Sequence, residues 1–582
     1  MIEDINEPIE NYKSYFKDAH ARNTAAFFED LVKKSAVDEV ANIQTVKELS
    51  VIEQKVANES SISRNWRILR GVTIALLVVG ICFVLIEYSY WWMIGLALVF
   101  GPPIYKLNKI IADVKARIAH LENHRNTKCD EAWEQMSSLN KLYDWDIVAQ
   151  LVQQTVPRIA LDAYFTNGRL AELRDTFGLN DAFNHSERSI IFSHSGVLNG
   201  NPFVMARTLD HWMGEKTYHG SLNISWTEWE TDSKGNSHSV TKHQTLRASV
   251  TKPFPDYGNR TFIIYGNEAA PDLSFSRSPS SLSKLEDGFI NNWRKKRSEN
   301  ALEKKSRDLN NNFTVMSNRE FDSLFAASDR DHEVQFRLLF TPLAQQEMLK
   351  LLQDKEVGFG DDFEFVKQHM INIVEPDHMM SIDISGNREL FFAYELAHAR
   401  KFFNDYHNNL FKSFFFGIAP ILTIPLYQQH RSHADIYKDV HTSQSCFWEH
   451  EAIANYFGET SFQHPQCITN SILKTQSKTE TDGTQTVRVT AYGYRGEDRT
   501  DYVSVRGGDG HNHKVRVDWV EYLDVQHESD MVVKEKVLSD NDATSSNNVD
   551  EKWQSVFENK GVDTKNVLQR RSILSALLPS SP

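Results

Sequence analysis

Apolar and polar positions are spread unevenly along this chain, and the sharpest contrast lies near its start. In RILRGVTIALLVVGICFVLIEYSYWWMIGLALVFGPPIYKLNK, residues 71–105 carry a single charge, Glu87. A helix needs ~20 apolar residues to cross ~30 Å of hydrocarbon, with ~17 as the lower end. The pattern predicts one span from about Ile68 to Ile86 and a second, slightly short one from about Tyr90 to Tyr105. Pro102-Pro103 should mark the cytoplasmic end of the second. Trp66 and Tyr105 lie at one interface, and Tyr88, Tyr90, Trp91 and Trp92 at the other, where amphipathic rings settle. Arg64, Arg67 and Arg70 precede the spans, and Lys106, Lys109, Lys115 and Arg117 follow them. The positive-inside bias then places both termini in the cytoplasm. The alternative is a buried helical pair in a soluble core, and the length of nearly uncharged chain argues against it.

The flanks carry a second pattern. Val37, Val40, Ile43, Val46, Leu49, Ile52 and Val56 recur at spacings of three and four before the spans. After them, Ile104, Leu107, Ile111, Val114, Ile118 and Leu121 keep a 3-4 spacing, the apolar seam of a coiled coil. Two such helices leaving the membrane together predict a stalk packed as an antiparallel pair. Packing of each helix on the soluble body stays equally open.

Beyond residue 140 the pattern is mixed. Residues 142–185 look helical, and 188–270 alternate as strands, KTYHGSLNISWTEWE most cleanly, with TDSKGNS as a turn. Residues 313–385 read as α/β, and 388–412 as a helix rich in Phe and His. The run LFKSFFFGIAPILTIPLY (410–427) is apolar but broken by Pro420 and Pro425, which suits a buried or interfacial segment better than a third span. Strands return over 468–528, followed by a polar linker (538–551) and a terminal amphipathic helix ending in VLQRRSILSALL. The fold class predicted is α+β. Its divisions are a helical region (1–63), a transmembrane hairpin (64–105), a stalk (106–140), a cytoplasmic α+β domain (141–410), an apolar segment (411–430), a β-rich domain (431–537), and a linker with the terminal helix (538–582).

Composition narrows the function classes. The net charge of -14 excludes a general electrostatic attraction to nucleic acid. A mean hydropathy of -0.46 fits a water-soluble body with a small membrane part rather than a many-span transporter. Four cysteines in 582 residues give no disulfide framework. The acidic start, MIEDINEPIENYKSYF, has no apolar core and is not a cleaved signal peptide. The helix NNWRKKRSENALEKKSRD, with Arg294, Lys295, Lys296, Arg297, Lys304, Lys305 and Arg307, suits either anionic lipid headgroups or a solvated face.

The run NNNFTVMSNREFDSLFAASDRDHEVQFRLLFTPLAQQEMLKLL (310–352) resembles the central signature of the bacterial membrane-protein family catalogued as domain of unknown function 3137. That signature is a strand, a Phe-containing helix, and an Arg-x-Leu-x-Thr-Pro element, here Arg337-Leu338-Leu339-Phe340-Thr341-Pro342, followed by a helix. TYHGSLNISW (217–226) and DFEFVKQHMINIVEPDHMMSIDI (362–384) resemble its flanking strands, and the two N-terminal spans match its layout. The resemblance covers roughly residues 60–400. It implies membrane anchorage and a domain order, and it supplies no catalytic residue.

Candidate chemistry is sparse. Cys446, His450, His464 and Cys467 form C-x3-H-x13-H-x2-C, donors suited to tetrahedral zinc, although 22 histidines make chance patterns easy. WEHEAIANYF has no second histidine one turn after its His-Glu, so it is not a zincin helix. Asp329, Asp331, His332 and Glu333 suit either a cation or an acidic loop. RGGDGHNH lacks the lysine and spacing of a P-loop and reads as a hairpin turn. No residue is therefore assigned to catalysis, to a cofactor or to a metal. The expected function is a membrane-anchored scaffold, binding or membrane-state-sensing protein. Its expected partners are the bilayer through residues 68–105 and a protein partner or a second copy, with no nucleic acid. The alternative is a membrane-tethered, metal-dependent enzyme using the His-rich region 394–467.

Overall fold

The computed structural model describes residues 5–87, 91–180, 184–231, 237–280, 316–429, 444–481, 484–535 and 567–578. The fold is mixed α+β with two antiparallel sheets. It divides into two compact units, a helical one (Ala21–Asp144 with Asn387–Asn408) and a β-rich one (Met1–His20, Trp145–Gly386 and Asn409–Pro582).

The helical unit is built from α1 (Lys17–Ser35) from Ala21 onward, α2 (Glu39–Glu87), α3 (Trp91–Asn140) and the first part of α4 (Leu396–Leu422). As residue number rises along α2, its partner's number falls along α3. Thr45 accepts from Gln135 (2.9 Å), Glu48 pairs with Lys128 (2.9 Å), Glu59 pairs with Arg117 (3.4 Å) and Arg70 donates to Asn108 (3.1 Å). Gly80 faces the Leu96 side chain. The two helices therefore pack antiparallel along most of their length. The buried face departs from the expected seam. Leu49, Ile52, Leu107, Ile111 and Val114 are buried, but Val40 is 76% exposed, and polar Asn42 and Thr45 take the inner positions. The physical reason is the start of α4. Asn42 accepts from the Leu396 N–H and donates to the Tyr394 carbonyl, meeting backbone groups that a helix terminus leaves open. Phe403 of α4 closes this unit's core against Phe28 and Phe391. Pro102 and Pro103 do not stop α3, which runs on past them.

The β-rich unit holds a seven-stranded sheet in the order β1-β2-β3-β4-β7-β6-β5. Its strands are β1 (Ile159–Leu161), β2 (Arg188–Leu198), β3 (Asn201–Thr231), β4 (Ser237–Gly266), β5 (Ser274–Arg277), β6 (Phe363–Gln368) and β7 (Ile371–Pro376). Side chains alternate across a strand, and here both faces are covered. Val204, Ala206, Phe262 and Ile264 pack with Trp448 and Ala452 of α5 (Phe447–Phe457). On the opposite face, Phe203 meets Phe414, and Ile263 lies against Gly417, both on the later part of α4. That part of α4, within the apolar 410–427 run, is buried among these side chains.

A five-stranded sheet, in the order β11-β12-β10-β9-β8, comprises β8 (Ile472–Thr481), β9 (Thr484–Arg506), β10 (Asn512–Glu535), β11 (Leu568–Arg570) and β12 (Ile573–Leu577). Beyond the two sheet cores, the β3–β4 and β9–β10 hairpins run on together as a two-layer arm. Gly220 of β3 lies against the Arg516 carbonyl and Val517. Lys252 pairs with Asp501 (2.7 Å) and sits over the Trp519 ring. Leu246, Val515 and Val517 form the arm's buried seam.

Two expectations are corrected. The described part of residues 142–185 holds short helices, Ile147–Thr155 and Asn167–Ala171 with its π-helical continuation Glu172–Thr176, and β1 lies between them. Where the sequence pattern predicts the end of a terminal amphipathic helix, Leu568–Arg570 and Ile573–Leu577 are instead the β11–β12 hairpin, and residues 552–566 before it lie outside the described residues. Ile573 faces one cluster with Val487, Val489 and Met531, while Leu574 and Ala576 face another with Val532. Both sides of the strand are thus buried, which erases the two-residue alternation that would have revealed it. The basic segment 294–307, the polar linker 538–551 and the loop tip at 88–90 lie outside the described residues.

Replacing Gly220 by Val forces a side chain into the Arg516 backbone. Overpacking of this kind should cost ~1–3 kcal/mol, lowering the melting temperature and speeding proteolytic cleavage within the arm. Ser221→Val, on the exposed face, should leave both unchanged.

Candidate functional site

Two places concentrate unusual chemistry: the outer surface of α2, and a buried ionic cluster around α5.

α2 contains a window long and apolar enough to cross a membrane, and none of that window is buried within the protein. Ile68, Val72 and Val79 are 59%, 51% and 65% exposed. Among the described residues this is the one helix that meets that criterion of length and composition. Leu98, Val99 and Tyr105 of α3 are also exposed. A contiguous aliphatic surface of this kind is not stable against water. Just before the window, Ala57, Ser60, Ser61, Arg64, Arg67 and Ile68 line an open groove of about 600 Å³.

The four candidate zinc donors are not brought together. Cys446 and His450 lie at the start of α5, buried. His464 accepts from the Gln466 N–H, and the Cys467 thiol donates to the Thr469 carbonyl (3.4 Å). Among the described residues no group of three His, Cys, Asp or Glu side chains is placed to hold a metal. The acidic loop is committed to structure as well. Asp329 accepts from the Ser276 N–H and hydroxyl, Asp331 from the Ser274 N–H, and Glu333 pairs with Arg330. His332 caps the helix Glu333–Leu339 by accepting from the Gln335 N–H. RGGDGHNH forms the β9–β10 turn, with Gly510 at φ 81° and Asp509 bonded to His513.

The cluster around α5 contains residues that sequence spacing did not single out. Arg169 pairs with Asp162 (3.0 Å) and Glu172 (2.7 Å), all largely buried. Glu449 accepts from the Ser193 hydroxyl, the Phe165 N–H and the Arg570 guanidinium. Glu451 pairs with Lys474 (2.6 Å), and burial raises its carboxyl to about 7. Burial, then the neighbouring Arg570, pulls Arg571 down to about 9. Burial also pushes the Cys446 thiol up, which removes it as a nucleophile at neutral pH. One contact mimics a catalytic triad. The Ser445 hydroxyl lies 2.9 Å from His450 Nε2 and 2.5 Å from Glu535 Oε1. In a working triad the histidine stands between serine and acid, which holds its ring. Here the acid bonds the serine, and among the described residues His450 Nδ1 has no hydrogen-bond partner. Ser445 is also fully buried, so no substrate reaches it. The cluster locks α5 and the C-terminal hairpin to the β2 strand. Breaking such a buried pair typically costs ~3–5 kcal/mol. The signals that could have found it were WEHE, three ionisable residues on an otherwise apolar helix, and the Arg pair inside an apolar run.

No protein-family model, curated protein or solved structure matches this chain.

Burial lowers the His450 imidazole from 6.5 to about 4. Between those values the unfolded chain takes up a proton that the folded chain does not, so stability is lost as pH falls from 6.5 toward 4. His450→Gln should remove that contribution, about 3 kcal/mol at ~1.4 kcal/mol per pH unit, and flatten the acid limb of a plot of melting temperature against pH. An unchanged acid limb would count against a neutral buried His450.

Proposed function

We propose that this protein is a membrane-anchored binding or scaffold protein, held in the bilayer by two spans, about 68–86 and 90–105, with both termini in the cytoplasm. The observation that carries the reading is the unburied aliphatic window of α2. The antiparallel packing of α3 along α2, with Leu98 and Val99 also exposed, supports the second span. The basic residues Arg64, Arg67, Arg70, Lys106 and Lys109 support the orientation. The resemblance to domain of unknown function 3137 belongs to the same proposal. Within it, the β arm is the surface that meets a protein partner or a second copy: it is long and sheet-built, and it carries exposed Trp229 and Tyr502. The metal-dependent enzyme would need converging donors; among the described residues no group of three is brought together, and His430, His433 and His441 of its region lie outside them.

Single cysteines at Ser60, Tyr88, Asn300 and Thr500, in a chain lacking its four native cysteines, test the topology. A membrane-impermeant maleimide applied to intact cells should label position 88 alone. Labelling at 300 would reverse the orientation, and labelling at 500 without 300 would establish a third span at 410–427.

A further inference from the structure

The groove beside the apolar window has a chemistry of its own. Its lining residues, 57, 60, 61, 64, 67 and 68, follow helical spacing along one face of α2. At 100° per residue this face is roughly a quarter turn from the one that packs on α3. The lower half is hollow because Ala57, Ser60 and Ser61 are small, and the two serines present hydroxyls. The upper half carries two guanidinium groups. Arg67 donates to the Ser63 hydroxyl (3.3 Å), which fixes its side chain along the helix. Arg64 has no hydrogen-bond or ion-pair partner among the described residues. The acid one turn away, Glu59, is paired with Arg117 of α3 and does not neutralise the groove. Above the arginines the same face continues through Ile68, Val72 and Val79, all exposed. Gly71, between them, has nothing within 4 Å of where a side chain would begin.

An occupant of this groove must therefore be anionic where it meets Arg64 and Arg67 and apolar where it continues past Ile68. We infer that the groove is a binding site for one anionic glycerophospholipid. Its phosphate sits between the Arg64 and Arg67 guanidinium groups and accepts from the Ser60 and Ser61 hydroxyls. An acyl chain runs along Ile68 and into the notch at Gly71. Fork-shaped guanidinium donors match phosphate oxygens better than ammonium groups do. Free phosphate satisfies the arginines and serines but leaves the face past Ile68 uncovered, so the continuity with the apolar window selects the lipid. This inference rests on the membrane-anchored reading and adds a ligand class to it.

The test uses the full chain, purified in detergent, stripped of lipid and then offered phosphatidylglycerol or phosphatidylcholine, with bound lipid counted by native mass spectrometry. One phosphatidylglycerol should be retained, preferred over phosphatidylcholine by about thirtyfold, the scale expected of two basic residues at an anionic surface. Arg64→Gln with Arg67→Gln should abolish the preference without changing the melting temperature, since both side chains are exposed. Arg64→Lys with Arg67→Lys should restore part of it, and Ser60→Ala with Ser61→Ala should weaken retention about tenfold, the scale of two modest hydrogen bonds. Equal retention of the two lipids, or a preference unaffected by the glutamine pair, would overturn the inference. Displacement of the lipid by millimolar inorganic phosphate would overturn it too, by making the groove a free-anion site. Alkaline carbonate extraction separates the two levels. A chain that stays in the pellet yet shows no lipid preference sinks this inference alone, whereas a chain that leaves with the supernatant sinks the anchor.

Discussion

Water cannot cover the outer surface of α2 between Ile68 and Val79 at tolerable cost. Buried apolar area is worth roughly 25 cal/mol per Å², and here a whole helical window stands outside any protein core. The surrounding we propose for it is a bilayer. The polar ladder that ties α2 to α3 then takes on meaning. Glu48–Lys128 and Glu59–Arg117 lie before the window, where water supports ion pairs, and Gly80 against Leu96 lies within it, where close packing of small and aliphatic residues takes over.

The β-rich unit handles its polar groups in the opposite way, by burying and pairing them. Asp162, Glu172, Glu449 and Glu451 are matched by Arg169, Arg570 and Lys474. Burial of this kind adds little net stability, but losing one partner is costly. The C-terminal hairpin thereby becomes part of the core, because Arg570 reaches Glu449 of α5. Ionisable side chains concentrated in a protein interior invite a catalytic reading. Their closure against one another, and the inverted order of Ser445, His450 and Glu535, turn it into a structural one.

Much of the architecture was legible where a single physical period dominated. The alternation of KTYHGSLNISWTEWE and KVRVDWVEYLDV announced the arm strands, and the uncharged stretch after Arg70 announced the exposed helix. What escaped was set by contacts distant in sequence. Ile573–Leu577 is buried on both faces, so its apolar run carries no strand period. Asn42 displaces a hydrophobic seam because it serves the backbone at Leu396. Cys446, His450, His464 and Cys467 have suitable spacing, but α5 and the loop that follows it turn the donors to different neighbours. Asp329 and Asp331 look like cation ligands until the β5 backbone they serve is seen.

The central claim is that lipid, and not water or protein, surrounds the α2 window. Spin labels placed singly at Val72, Leu76 and Val79, and at Val40 and Ile43 as references, measure this directly in the full chain reconstituted into liposomes. Collision rates with oxygen, which concentrates in hydrocarbon, should be high at 72, 76 and 79, and those with a water-soluble nickel chelate low. At 40 and 43 the order should reverse. Nickel reaching 72–79 as readily as 40 and 43 would contradict the membrane assignment and the function built on it.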